Sequence, residues 1–106
     1  MAIDWQDVWK SAVDAGLDVV KDGGKQAQRV LRDAAKAFEQ QLAELTEALV
    51  TGQIDQQTYD FEMRSSKREF GTALDQAKIL GKATAQKATN AVFKVLFDAI
   101  ATGIRF

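Results

Sequence analysis

From Trp5 to Val20 the apolar residues return every third or fourth position. They are Trp5, Val8, Trp9, Ala12, Val13, Gly16, Leu17 and Val20, with Asp4, Asp7, Lys10, Asp14, Asp18 and Lys21 between them. This is the repeat of one helix face. It predicts an amphipathic helix over about 4–22, with Asp4 as its N-cap. Gly23 and Gly24 follow, and two glycines cost about 2 kcal/mol in a helix interior, so a kink is expected at 23–24. A second helix is expected over about 25–50. Its seam is Leu31, Ala35, Phe38, Leu42, Leu45 and Leu49, in alternating steps of four and three. Such spacing marks a coiled-coil-like contact.

Thr51 to Asp55 (TGQID) is the one strong turn signal. Gly52 suits the left-handed conformation that ends a helix, and Asp55 suits the N-cap of the next. Beyond it only Gly71 and Gly81 interrupt the helical pattern. One long helix is therefore expected over about 56–102, about 70 Å at 1.5 Å per residue. Its inner face would carry Tyr59, Met63, Phe70, Leu74, Ala77, Leu80, Thr84, Ala88, Val92 and Leu96. With the turn near residue 52, positions summing to about 105 sit level in an antiparallel hairpin. Trp9 then lies beside Leu96 and Phe97, and Trp5 beside Ile100. Charge favours the pairing: residues 1–22 hold two lysines and five aspartates, and residues 78–106 hold five basic groups and one aspartate. Small residues dominate 71–91 and allow a neighbouring backbone to come close.

On a helix, Val92, Phe93, Leu96, Phe97, Ile100 and Ile104 form an arc that Val95 and Ala99 widen, leaving a narrow polar strip that includes Lys94 and Asp98. One partner helix cannot bury so wide an arc. Three solutions exist. Hairpins can associate with one another. Both arms can fold back, at Gly23–Gly24 and at Gly81, into a four-helix bundle. Or the apolar end can enter a lipid interface, with Trp5, Trp9, Phe93 and Phe97 at head-group level. The acidic first helix weighs against lipid, and the isolation of Gly81 weighs against folding back. The expectation is thus all-α: an elongated antiparallel helical hairpin, coiled-coil-like, that self-associates into a helical bundle.

The 106 residues indicate one domain, and their formal net charge of −1 speaks against a general nucleic-acid binder. There is no cysteine and no histidine. Disulfides, thiolate nucleophiles and the commonest general base and metal ligand are therefore excluded. The turn faintly resembles the back half of a calcium loop, but the ligand places fall on Glu47, Leu49, Thr51 and Thr58, and leucine cannot coordinate. A di-iron bundle site needs histidine. Asp22–Lys25 (DGGK) lacks the remaining parts of a phosphate loop. Asp60, Glu62 and Arg64 read as a solvated face. No enzyme activity, metal, cofactor or small-molecule substrate is expected. Lys25, Arg29, Arg32 and Lys36 share one flank of the second helix and form a possible anion-facing stripe.

In size and hairpin plan the chain is similar to the Trp-x-Gly group of small secreted dimeric helical hairpins and to the needle-type subunits of injection machines. Thr51-Gly52-Gln53 stands where the first has its Trp-x-Gly, and the proline-bearing turn of the second is missing. The likeness is architectural and brings no residue roles. The start is acidic, so no Sec-type signal peptide is expected. No run of about 18 uncharged apolar residues is present, so no transmembrane helix is expected either. Both point to a cytoplasmic protein or one exported by another route.

The expected function is a non-enzymatic self-assembly or interaction protein. Trp5, Val8, Trp9, Val13, Leu17, Phe93, Leu96, Phe97 and Ile100 would bury against another subunit or a helical partner. The alternative is a peripheral, pore-forming type of membrane-active protein that presents the same residues to lipid.

Overall fold

The computed structural model describes residues 3–106. A two-residue strand β1 (Ile3–Asp4) leads into α1 (Trp5–Val20), and a single 3-10 turn (Lys21–Gly23) leads into α2 (Gly24–Val50). Then follow α3 (Gln56–Gln76), α4 (Lys82–Thr102) and a second short strand β2 (Ile104–Arg105). The all-α class holds. Around the bundle, α1 packs on α2 and α4, and α3 packs on α2 and α4. Each successive pair is an antiparallel hairpin, and the last helix returns to the first.

Local signals explain most of the boundaries. The Asp55 carboxylate accepts from the Thr58 N–H at 2.8 Å, which caps α3. Gly52 takes φ 78° where α2 ends. The kink expected at Gly23–Gly24 is a full reversal, with Gly24 at φ 81°. Gly16 then lets three helices converge. A Cβ at that position would come within 2.7 Å of Val92 Cγ2 on α4 and 2.9 Å of Leu31 Cδ2 on α2. α1 and α4 meet as charge and pattern predict, with Gly16 beside Val92.

The single helix expected over 56–102 is instead two. Lys78 at φ 60° and Gly81 at φ 75° turn the chain between α3 and α4. Ala77, placed on the inner face by the sequence pattern, is exposed, while Leu80 and Thr84 are half-buried. The reason is the wide apolar arc of α4. Folded back, it packs α1 on one side and α3 on the other, and Val92, Phe93 and Leu96 are at most 1% exposed. Burial of side chains of this size is worth about 1.5–3 kcal/mol each, more than the turn costs. The 70 Å rod therefore does not form, and the molecule measures 39 × 25 × 18 Å.

The core runs through Leu31, Leu42, Met63, Phe70, Leu74, Phe93 and Leu96. Phe70 sits at its centre, edge-on to Phe38 at 5.5 Å and to Phe93 at 5.7 Å. α2 is the longest helix, about 40 Å for its 27 residues. Its C-terminal end extends past α1 and pairs with the first half of α3. There the Tyr59 hydroxyl lies 3.1 Å from the Thr46 hydroxyl, both buried. Burial pushes the Tyr59 pKa above its ordinary value, and the Thr46 hydrogen bond partly opposes the rise.

At the other end of α4, Gly103 reverses the chain so that β2 runs parallel to β1, with Ile3 opposite Ile104 and Asp4 opposite Arg105. The Ile3 N–H donates to the Gly103 carbonyl at 3.0 Å. Asp4 precedes α1 as expected, yet makes no side-chain cap bond. Its carboxylate accepts from Arg105 Nε at 2.8 Å instead. Trp5 stacks between Trp9 and Phe106, at 5.8 and 5.6 Å.

Candidate functional site

The residues expected at a partner interface line the inside of the bundle. Trp5, Val8, Trp9, Phe93 and Leu96 are buried, and Val13, Leu17, Phe97 and Ile100 are half-buried. The fold brings them together as the pattern implied, between α1 and α4, but the chain itself supplies their cover. Lys25, Arg29, Arg32 and Lys36 are all exposed on α2.

What stays outside is elsewhere. Phe61, on α3 near the α2–α3 turn, is 63% exposed, the most of any large apolar residue among those described, and Val50 at the end of α2 is 48% exposed. Phe61 borders a shallow hollow of about 340 Å³ with Arg64, Ser65 and Arg68. These residues recur at steps of three, four and seven, so they share the outer face of α3.

From Arg64 and Arg68 this face continues into a groove of about 460 Å³ between α3 and α4. Its floor is made of small residues, Gly71, Ala85 and Thr89. The Thr89 hydroxyl is engaged within its own helix, donating to the Ala85 carbonyl at 2.8 Å. Arg64, Lys67 and Arg68 stand along the α3 wall, and Lys82 stands on the α4 wall. Asp75 is the only carboxylate in the lining. The ion pairs among the described residues join Lys21 to Asp18, Lys94 to Asp98 and Arg105 to Asp4. None involves the four groove cations.

Arg64 reads as part of a solvated face in the sequence, and Lys67, Arg68 and Lys82 belong to no motif there. The signal was present as cations at 64, 67 and 68 with Gly71 on the same flank. It becomes a site only once α4 folds back beside it. Among the described residues no carboxylates converge into a metal-sized cluster, and no helix is long and apolar enough to cross a membrane. No known protein family matches the chain, and no curated protein or solved structure matches it.

Proposed function

We propose that this is a non-enzymatic helical interaction protein whose contact surface is the outer face of α3 around Phe61, with Val50 at the same end of the bundle. The observation that carries this reading is the exposure of Phe61, 63% against 49% for Phe106, the next most exposed aromatic ring. Aromatic residues flanked by arginine are the usual anchors of protein contacts, and Arg64 and Arg68 flank this one. The partner is a second copy or another helical protein offering an apolar side chain with carboxylates beside it. The lack of histidine and cysteine supports a role without catalysis. The lipid alternative has less support, because, of its four anchoring rings, Trp5, Trp9 and Phe93 lie inside the bundle and Phe97 is half-buried.

Sedimentation equilibrium over a range of concentrations tests the reading. The wild-type chain is expected to self-associate, and Phe61→Ser, which leaves the neighbouring charges intact, is expected to stay at the 11.7 kDa of one chain. Unchanged association of Phe61→Ser would remove the surface from the proposal. A wild-type protein that is monomeric throughout would remove the second copy as partner.

A further inference from the structure

Gly71 stands in the interior of α3, where glycine costs about 1 kcal/mol relative to alanine. The packing does not demand it. A Cβ there would lie 3.4 Å from Thr89 Oγ1, an ordinary contact, whereas at Gly16 it would meet Val92 at 2.7 Å. Gly71 and Thr89 both line the α3–α4 groove, so a large side chain at 71 would take up space there.

The groove so formed falls within the size range of small-molecule sites, at about 460 Å³. Its charge is one-sided. Arg64, Lys67 and Arg68 crowd one end of the α3 wall within about one helical turn. Lys67 is half-buried, and no ion pair among the described residues engages it. Arginine forks beside a lysine are the donor set that binds phosphate oxygens best. Asp75, further along the groove, repels an anion from that end and offers an acceptor to a hydroxyl or amino group. Gln86 on α4 adds an exposed amide.

We propose that the groove binds an organic di- or triphosphate. The phosphates lie at Arg64, Lys67 and Arg68, and the organic part rests over Gly71 toward Asp75 and Gln86. The site is ligand-sized and does not run on into the α2 stripe, which supplies none of its lining. This favours a compact anion over a nucleic-acid strand. The proposal shares Arg64 and Arg68 with the Phe61 surface but does not need the protein to self-associate.

Titration of the full chain with ADP and with inorganic pyrophosphate, followed by ¹⁵N–¹H NMR, tests it. Both probes are expected to give saturable shifts within residues 64–75 and 82–90, with ADP the tighter. Replacing both arginines (Arg64→Ala with Arg68→Ala) is expected to weaken both probes by about tenfold or more, since charge-assisted contacts are lost. Gly71→Leu fills the floor, and is expected to weaken ADP by about tenfold while leaving pyrophosphate within about twofold. Should Gly71→Leu not fold, the double arginine variant, altered only at exposed positions, still decides the matter. Lys25→Ala with Lys36→Ala is expected to change neither probe. Shifts that never saturate, or equal weakening by the α2 variant, would show unspecific charge attraction and overturn the proposal. So would binding of a single-stranded RNA or an acidic helical peptide without binding of ADP.

Discussion

Tyr59 and Thr46 show how single residues hold the exposed end of the bundle together. Two hydroxyls are buried there, and each satisfies the other at 3.1 Å. A buried hydroxyl left without its partner costs about 1–3 kcal/mol. The same burial ties stability to pH. Tyr59 holds its proton more tightly folded than unfolded, because its folded pKa is raised. Its contribution is therefore complete below the unfolded phenol value of about 10, and is lost as pH rises from there through the raised folded value. Denaturant unfolding between neutral pH and pH 11 is expected to show this fall in the wild type. Tyr59→Phe is expected to be less stable at neutral pH but to lack the tyrosine component of the alkaline decline. The chain has one tyrosine, so its ionisation can be followed by absorbance in the same samples. Residue-scale features were unevenly legible. The Asp55 cap could be read because cap and capped N–H are three residues apart. The fate of Asp4 could not, because its partner, Arg105, lies at the other end of the chain.

Helices were legible where their apolar face is local, and the break between α3 and α4 was not. The repeat through Phe70, Leu74, Ala77, Thr84, Ala88 and Val92 keeps nearly constant phase across the turn, so periodicity alone continues the helix. Only Gly81 marks the reversal, and its backbone, at φ 75° and ψ 153°, lies in a region almost closed to other residues. Lys78 adopts φ 60° without that freedom. The turn thus joins one residue suited to its conformation and one that is strained. Gly81→Ala is expected to destabilise the protein by about 1–3 kcal/mol. Lys78→Gly is expected to stabilise it by up to about 1 kcal/mol, because relief of the left-handed strain exceeds the added chain entropy. Urea midpoints compared at constant m-value measure both. If the helix ran unbroken through this segment, glycine would be disfavoured at both positions and both signs would reverse. The groove shares this dependence on the turn, since Lys82, Gln86 and Thr89 join Arg64, Lys67 and Arg68 in one lining only when α4 folds back.

At the scale of the whole molecule the question is what covers the apolar arc of α4. Within one chain the cover has three parts: α1, α3 and the short clasp of residues 103–106. In the clasp, Ile104 is 5% exposed and Phe106 lies over Trp5. The Arg105–Asp4 pair is exposed and contributes little. Truncation after Thr102 is therefore expected to cost about 2–3 kcal/mol, nearly all from Ile104 and the uncovered Trp5 face, and to shift tryptophan emission to longer wavelength. The overall shape must stay compact if α1 and α3 carry the rest. The folded-back chain has a radius of gyration of 13.5 Å, whereas a 70 Å hairpin rod would have about 20 Å. Small-angle scattering of dilute full-length and truncated chains separates the two shapes directly. A value near 20 Å for the full-length chain would mean that the arms open and the arc finds its cover in another molecule. A compact wild type with an expanded truncation would mean that the clasp, and not the helix pairs, keeps the arms closed. Compact values for both, with the truncated chain unfolding at lower denaturant, are expected, because the two flanking helices already bury Val92, Phe93 and Leu96 without help from the last four residues.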